Sequence, residues 1–468
     1  MNIIILGAGK VGYHLARQLI HEDQHVTIIE RDSHRAKQVT NQLDCIVIND
    51  EGNNLEVLQQ AGIDKADFFI SVTESDELNM IACGLASSYR SEVFTIARVR
   101  NLDYSHSVMS SRSLMGINQI INPEIEAAKE IAKSVEHGAM SNVLQFNNAE
   151  LQMLNLAVPR ESSMIGQSLL QVNQTIGVTF LVPILMRDRK YIIPDGNTVF
   201  QEGDLVYIIA EEKDFDVIFR FFKKPKVEIN KIAIVGCGNL GCYVADYLAS
   251  NPEVESGLIG KILKRLTRQE QAGNLHLIDS DYGQCKYLSE RFPFAQVTHA
   301  DITNEEVWEE GLLKDFDLVI SSTGNQELNL ITSMYAKKVG VLRSISLVQT
   351  RAYKNIAESL GIDVSISINN VLVNTILKII RKGNIKSIHS ISGSPFEIIE
   401  FALSQSSSLN YHQIKDLKLP RETLIVLITR GDQNLIPNGA ITLEPGDHVV
   451  LIARKDFIKK LESLFGVE

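Results

Sequence analysis

Short apolar runs alternate with longer amphipathic stretches along the chain, first in residues 1–139 and again from about residue 230. The runs are IIIL, VTII, CIVI, FFIS and VFTIAR in the first stretch, and IAIV, LHLI, AQVTHA, LVIS and LRSISL in the second. Most are rich in β-branched residues and almost unbroken, as expected of strands covered on both faces. The alternation predicts βαβ units and a parallel sheet in each stretch.

The pattern changes after about residue 140, where β segments punctuated by turns take over. They include LVPILM, DGNTVFQEGD and LVYIIA, with a Pro-Asp-Gly turn and a Glu-Gly-Asp turn separated by one short predicted strand. This pattern of short β segments and turns predicts a small antiparallel β unit. The phrase KKPKVEIN at 223–230 is interpreted as the linker to the second half.

The chain repeats itself. IIILGAGKVG at 3–12 returns as IAIVGCGNLG at 232–241, TESDELN at 73–79 as TGNQELN at 323–329, and the segment 192–214 as 435–457. Because the order of the three pairs is preserved, the repeat organises the whole fold. We therefore predict an α/β protein with tandem Rossmann-like parallel-sheet domains, each followed by a small α+β domain, with boundaries at 1–139, 140–226, 227–383 and 384–468.

The second half contains extra residues that the first half lacks. SNPEVESGLIGKILKRLTRQEQAGN follows its first helix and precedes the strand LHLID. Its charge and position indicate a surface insertion, with a helical piece around GKILKRLTRQEQ.

A glycine loop joins the first strand to the first helix. In Gly7-x-Gly9-x-x-Gly12, the first glycine permits a tight turn, the second lets the backbone approach a pyrophosphate, and the third lets the helix lie close to the sheet. The helix N-terminus then faces the phosphates. The alternative is that these glycines only build the turn and no ligand binds.

An acid follows the second strand of each half. Glu30 lies 18 residues after Gly12, where a carboxylate accepts hydrogen bonds from both ribose hydroxyls, and Asp279 occupies the corresponding place. Such an acid disfavours a 2′-phosphate, so NAD(H) or an adenosine nucleotide is favoured over NADP, although the adjacent Arg31 weakens this inference.

Other candidates lie where further strands end. Asp50 and Thr73 follow the third and fourth strands, and Arg98 ends the fifth, where it can offer positive charge to a phosphate. A helix cap or a solvated charge is an equal alternative for each. In the second half Leu347 stands opposite Arg98, so we predict two sites of unequal affinity or different preference, testable by titrating each isolated half.

Composition excludes several classes of protein. The chain of 468 residues exceeds one hydrophobic core, and its net charge of −11 opposes binding of nucleic acid. The sequence holds no apolar run of about 20 residues and starts without a signal peptide, which indicates a chain that is neither membrane-spanning nor secreted. Its five cysteines form no C-x-x-C pair and lack metal-ligand spacing, so we expect packing roles and no metal.

Catalysis lacks a recognisable pattern. Hydride transfer needs a proton donor beside the nicotinamide. The histidines His137, His389 and His412 each lack an Asp or Glu at a spacing that would indicate a catalytic pair. A regulator rather than an enzyme is therefore favoured. An NAD-dependent oxidoreductase with tandem Rossmann domains remains the alternative, and a scaffold with vestigial clefts is the third possibility.

At this point the residues are similar to a known family, the RCK or KTN domains that regulate potassium conductance. MNIIILGAGKVGYHLARQL, TESDELNMIACGLA, TIARVRNLDY and the two GD-containing tails carry the resemblance, which covers nearly the whole chain. It implies a cytoplasmic nucleotide-binding subunit, peripheral on the inner face of the membrane. It further implies a homo-oligomeric ring, a tetramer, that gates a TrkH- or TrkG-type potassium-transporting subunit and binds NAD(H) and ATP or ADP.

The resemblance also assigns residues. Gly7, Gly9, Lys10, Val11 and Gly12 match the family's phosphate loop, Glu30 its ribose-binding acid, and Asp50, Thr73 and Arg98 its nucleotide cleft. The insertion departs from the family just before Asp279. The full candidate set adds Ala8, Arg31 and Glu74 in the first half, and Gly236, Gly238, Asn239, Leu240, Gly241, Asp279, Asp301, Thr323 and Gly324 in the second.

Overall fold

The computed structural model describes residues 1–101, 104, 116–136, 144–145, 151–188, 190–223, 229–250, 274–380, 385–390, 394–431 and 433–466. The predicted helix of the insertion lies outside these residues, as does most of the predicted linker. The chain forms two compact units, one built from residues 1–139 and 229–380 and the other from 140–228 and 381–468. Each unit therefore takes one piece from each half of the repeat.

The first half opens with a parallel sheet in the order β3-β2-β1-β4-β5-β6. The strand order reverses between β1 and β4, the place where such sheets leave a crevice. Its elements are β1 (Asn2–Leu6), α1 (Lys10–His21), β2 (His25–Ile29), α2 (Ser33–Gln42), β3 (Ile46–Ile48), α3 (Leu55–Gln60), β4 (Phe68–Ser71), α4 (Asp76–Tyr89), β5 (Phe94–Arg98), β6 (Gln119–Ile121) and α5 (Pro123–Glu136).

An antiparallel sheet in the order β10-β9-β11-β8-β7 follows. Buried apolar side chains lie on both faces of this sheet, which shows that both faces are covered. Its elements are β7 (Leu144–Gln145), β8 (Leu151–Ala157), α6 (Leu169–Ile176), β9 (Phe180–Arg187), β10 (Lys190–Ile192), β11 (Leu205–Glu211) and α7 (Phe215–Phe221).

The second half repeats the parallel sheet in the order β14-β13-β12-β15-β16-β17. Its elements are β12 (Ile232–Val235), α8 (Asn239–Ser250), β13 (Leu275–Asp279), α9 (Tyr282–Arg291), β14 (Gln296–His299), α10 (Glu305–Glu309), β15 (Leu318–Ser321), α11 (Gln326–Lys338), β16 (Arg343–Val348), α12 (Arg351–Ser359), β17 (Val364–Ser367) and α13 (Ile368–Ile380).

The last sheet is antiparallel, in the order β18-β19-β22-β20-β21. Its elements are β18 (Ile385–Ser390), β19 (Phe396–Ala402), β20 (Thr423–Arg430), β21 (Gln433–Leu435), β22 (His448–Arg454) and α14 (Ile458–Phe465). The predicted fold class is therefore confirmed: two parallel Rossmann-like sheets, each followed by a small antiparallel sheet.

The strand prediction differs from the structure in two respects. All ten predicted strands of the parallel sheets exist, but each sheet has a sixth, β6 or β17, that the apolar pattern did not single out. The strand predicted between the two tail turns is wrong, because Val199 makes only an isolated bridge to Ser168. The backbone there forms a turn instead, in which Thr198 donates its N–H to the carbonyl of Asp195.

The two halves exchange helices within the first unit. The apolar face of α13, from the second half, lies in one core cluster with β1 and α1 of the first half, and α5 of the first half packs against α8 of the second. The buried residues of α13 are Leu372, Val373, Ile376, Leu377 and Ile380. Because burying one such side chain stabilises by about 1.5–3 kcal/mol, this helix contributes substantially to the first half's core.

The second unit is also built from both halves. Leu151, Met153 and Tyr207 of the first antiparallel sheet share one buried cluster with Phe396 and Ile452 of the second. The opposite face of each sheet packs against its own helices. This arrangement is a sandwich of two sheets, whose apolar positions alternate along each strand.

The repeated Gly-Asp pairs of the tails have a structural role. Asp204 accepts from both Nε and Nη2 of Arg187 at 2.7 Å, and from the backbone N–H of Gln201 at 2.8 Å. Asp447 repeats this with Arg430, at 2.8 and 2.9 Å. The bidentate pair closes the turn onto the neighbouring strand.

No helix in the described part of the chain combines the length and apolarity needed to cross a membrane.

Candidate functional site

The loop between β1 and α1 is held in a turn that needs glycine at its first position. Gly7 has φ +99° and donates its N–H to the carbonyl of Ile29 at 2.8 Å. A Cβ at Gly7 would also lie 3.2 Å from the side chain of Thr73. Since L side chains rarely adopt this backbone conformation, the first glycine is required by the fold.

The other two glycines of the loop differ in what surrounds them. A Cβ at Gly12 would lie 1.9 Å from the carbonyl oxygen of Gly7, so close packing of α1 requires glycine there. At Gly9 a Cβ would have no described atom within 4 Å, and its φ of −65° suits any residue. Gly9 is the N-cap of α1, and no side chain of the cap residue bonds the first N–H groups of the helix.

Glu30 is fixed beside this loop. The residue is only 5% exposed, and its carboxylate accepts the N–H of Ala8 at 2.6 Å on one oxygen and that of Asp32 at 2.8 Å on the other. A carboxylate has about four acceptor positions, so each oxygen keeps one for another donor. The acid thus ties the loop to the end of β2, whether or not it also contacts a ligand.

A buried asparagine joins the ends of β4 and β5. The Asn79 side chain accepts from the N–H and hydroxyl of Thr73, at 2.9 and 2.7 Å, and donates to the carbonyls of Thr73 and Arg98. Thr73 is therefore positioned by Asn79, and the hydroxyl of Thr73 is already engaged. The role of Asn79 is structural.

Arg98 is half-buried at the end of β5. Its Nη1 lies 3.4 Å from the carbonyl of Thr73, and its buried Nε has no acceptor among the described residues. Burial lowers the pKa of Arg98 below its usual value. A buried donor without an acceptor is uncommon, and an anion in the crevice would satisfy it.

Three further candidates of the first half, Asp50, Arg31 and Glu74, are exposed, whereas Ala8 is buried. Asp50 accepts the N–H of Glu51 at 2.7 Å, and the backbone carbonyls of Arg31 and Glu74 accept from Asn49 and Arg100. Val11 is buried in the core, so only its backbone can face a ligand.

Lys10 contacts the other half of the repeat. Its Nζ donates to Oε1 of Gln349 at 3.3 Å. Sequence reasoning missed Gln349, because nothing in a linear pattern shows which segments 339 positions apart meet.

The second cleft reproduces the first in its backbone. Gly236 has φ +86°, a Cβ at Gly241 would lie 2.5 Å from the carbonyl oxygen of Gly236, and Gly238 again has no described atom within 4 Å of an added Cβ. Asp279 accepts from Cys237 N at 2.7 Å and Asp281 N at 2.9 Å. The insertion therefore leaves this acid in the same place as Glu30.

Other second-half candidates also have counterparts. Thr323 is held by Asn329 as Thr73 is by Asn79, and Gly324 follows it at the surface. Asp301 is exposed, and the backbone N–H and hydroxyl of Thr303 lower its pKa. The strand registers of β3 and β14 show which residues of the two halves correspond. By these registers Asp301 corresponds to Glu51 rather than to Asp50.

Three thiols surround the second loop. Cys237, Cys242 and Cys285 are buried, and burial raises the pKa of each, that of Cys242 to about 11. Protonated thiols are poor nucleophiles and poor metal ligands. In the described part of the chain, no group of His, Cys, Asp and Glu could hold a metal ion.

Comparison with known proteins gives the family. The TrkA-N domain model matches residues 3–123 and 256–368, and the TrkA-C domain model matches 153–223 and 398–466. The Trk system potassium uptake protein TrkA of Halomonas elongata is 30% identical over 473 residues, covering 100% of this chain and 99% of its own. A TrkA homolog from Archaeoglobus fulgidus is 30% identical over 465 residues, covering 99% and 100%.

Solved structures agree on the fold. The RCK domain of GsuK has a TM-score of 0.55 at 16% identity, covering 100% of this chain and 95% of that one. The GsuK channel bound to NAD has a TM-score of 0.54, also at 16% identity, covering 100% and 79%. Two matched domain models and full-length relatives leave one assignment: the chain belongs to the TrkA family of Trk system potassium uptake proteins.

Proposed function

We propose that this chain is the nucleotide-binding regulatory subunit of a Trk-type potassium uptake system. The full-length relatives are named Trk system potassium uptake protein TrkA or its homolog, and their similarity extends over both halves of the repeat. The observation that carries nucleotide binding is Gly9, which neither the backbone nor any described neighbour requires to be glycine. A ligand that approaches the backbone is the remaining reason for its small size.

The ligand of the first cleft is NAD(H) or an adenosine nucleotide, ATP or ADP. Gly7 to Gly12 would surround the phosphates at the start of α1, and the free acceptor positions of Glu30 would take ribose hydroxyls. Arg98 supplies a donor without an acceptor among the described residues, and Lys10 supplies an exposed cation. In this assignment Asp50, Thr73, Glu74 and Arg31 border the crevice.

The four-domain division at 1–139, 140–226, 227–383 and 384–468 stays part of the proposal. Its support is that each TrkA-N and TrkA-C match falls inside one of these ranges. The exchanged helices mean that the four domains assemble as two units rather than four independent ones.

Self-association into a ring, a tetramer, is supported by exposed apolar side chains at matching places. Ile81 on α4 is 46% exposed and Ile331 on α11 is 57% exposed, and the two occupy corresponding turns of corresponding helices. Exposed apolar side chains that recur at equivalent places of the repeat are candidates for a subunit interface. The ring would lie at the cytoplasmic face of the membrane, against a TrkH- or TrkG-type subunit.

Nucleotide binding would act by favouring one arrangement of the subunits over another. A ligand shifts such an equilibrium only by its difference in affinity for the two states, and a tenfold difference supplies about 1.4 kcal/mol per site. Several sites in a ring would add their contributions.

The test measures potassium uptake in cells that lack their own regulatory subunit. The full chain should restore uptake, and a variant with Gly9→Glu and Gly238→Glu, which places a carboxylate in both loops, should not. Calorimetry on the same purified proteins should show NADH and ATP binding only to the unmodified chain. Uptake that is equal in both proteins would contradict the proposal.

The oxidoreductase alternative has its own test. The purified chain would be incubated with NADH and a panel of 2-oxo acids, and NADH absorbance would be followed. A regulator binds NADH without consuming it, so sustained, enzyme-dependent loss of NADH would overturn the regulatory assignment.

A further inference from the structure

The two clefts share their backbone but not their side chains. Both have the same three-glycine loop and the same acid clamped by two N–H groups. Any difference in what they bind must therefore come from the side chains that border each loop.

The second cleft lacks the cations of the first. Lys10 at the start of α1 corresponds to Asn239 at the start of α8. Arg98 at the end of β5 corresponds to Leu347, which is buried. The second half thus has no cation at either of the two positions from which the first half could neutralise phosphate.

A carboxylate from the first half borders the second loop. Glu124, in the first turn of α5, accepts a hydrogen bond from the side chain of Asn239, while its buried Oε2 has no donor among the described residues. Burial raises the pKa of Glu124. The corresponding residue of α13 is Asn369, which is neutral and bonds the carbonyl of Gln349.

Arg100 does not make up the missing charge at the second loop. It attracts Glu124 electrostatically, but its Nη2 already donates to the carbonyl of Glu74 at 2.8 Å. Arg98 also attracts Glu124 and Asp76 repels it, so these two arginines and two carboxylates of the first half together carry no net charge.

Aromatic rings border the second cleft instead. Tyr282, 72% exposed, starts α9 just after Asp279, with its ring centroid 5.7 Å from that of His299 at the end of β14. The ring of His299 is oriented by a contact of 3.0 Å between Nε2 and the carbonyl of Ser280. In the first half these places hold Ser33 and Asn49, whereas an exposed ring can stack a nucleobase.

From these side chains we infer that the second cleft binds an adenine nucleotide whose phosphates end within the glycine loop, AMP or NAD(H), and excludes ATP. Base stacking on Tyr282 and the N–H groups of the loop supply the affinity. Glu124 repels the terminal phosphates that ATP would place beside Asn239, because like charges at short range cost free energy. This inference rests on the proposed nucleotide binding of both clefts.

The experiment isolates each cleft in the full chain. Gly9→Glu blocks the first loop and Gly238→Glu the second, and calorimetry then measures AMP, NADH and ATP separately. In the Gly9→Glu protein we expect AMP or NADH to bind at least about tenfold more tightly than ATP. Tyr282→Ala should weaken every nucleotide there.

Glu124→Gln in the same Gly9→Glu background should raise ATP affinity about tenfold and leave AMP unchanged. Glu126→Gln is the matched control, since Glu126 lies on the same helix and pairs with Lys129 at 2.7 Å. ATP binding as tight as AMP, no binding of any nucleotide, or no effect of Glu124→Gln would each overturn the inference. Failure of the Gly238→Glu protein to bind nucleotide in its open first cleft would instead overturn the proposed function.

Discussion

Positions 9 and 12 of the first loop hold glycine for different reasons. Gly12 lies against the backbone of Gly7, while Gly9 borders open space. The fold therefore requires glycine at Gly12, and the proposed ligand is the reason for glycine at Gly9.

Alanine separates these roles. We expect Gly12→Ala to destabilise the protein by about 1–3 kcal/mol, because its Cβ forces α1 away from the sheet. Gly9→Ala should leave the melting temperature unchanged within about 1 °C and weaken nucleotide binding, measured by calorimetry. Equal loss of stability in the two variants would contradict this division of roles.

Asp447 and Arg430 form a buried ion pair in the second tail. Asp447 is 1% exposed and bonds Arg430 through both oxygens. Asp447→Asn removes a charge-assisted pair and should cost about 1.5–3 kcal/mol in the free energy of unfolding by denaturant.

The control for that pair is Glu422→Gln, in the exposed pair that Glu422 makes with Arg454 at 3.3 Å. Exposed pairs contribute about 0–1 kcal/mol, so this variant should unfold nearly as the unmodified chain does. A similar loss in both variants would show that burial is not what makes Asp447 matter.

Sequence reasoning found the loop and its acid because their spacing along the chain is short and fixed. It placed Gly7, Gly9, Gly12 and Glu30 together, and the structure joins Ala8 to Glu30 by a hydrogen bond. It missed Glu124, because the partner Asn239 lies on the other half of the repeat and a side chain's partner across a tertiary contact leaves no local pattern.

Helix α13 belongs to the second half of the repeat but packs into the core of the first half. Its apolar face completes the core around β1 and α1, although it lies roughly 350 residues away along the chain. The sequence pattern shows which face of such a helix is apolar, but it does not show which sheet that face covers.

Ile376→Asp tests the exchange. A charge in the core of the first sheet should destabilise by about 4 kcal/mol or more, and hydrogen exchange should accelerate in residues 3–19. Asn374→Asp, at an exposed position of the same helix, should leave exchange unchanged. Acceleration restricted to residues 232–366 would mean that α13 serves only its own half.

Several large apolar side chains are exposed on the surface of the single chain. Ile81, Ile331, Met334 and Ile356 are each at least 40% exposed. Ile81 and Ile331 recur at corresponding places of α4 and α11, so we expect these two side chains to lie at a surface shared between subunits.

Ile81→Asp combined with Ile331→Asp should therefore lower the molar mass of the assembly, measured by light scattering after gel filtration. Arg17→Asp on α1 is a control for added negative charge at the surface, and should leave the mass unchanged. An unaltered mass in the double variant would place the subunit interface elsewhere.

The reciprocal crossing of α5 and α13 has a consequence for how the protein can be divided. A fragment ending near residue 228 would keep a sheet whose covering helix was left on the other fragment, so neither piece alone would bury its apolar surface. The two pieces, produced separately and mixed, should instead recognise each other and restore the native assembly. Duplication has thus produced one indivisible folding partnership rather than two autonomous modules in series.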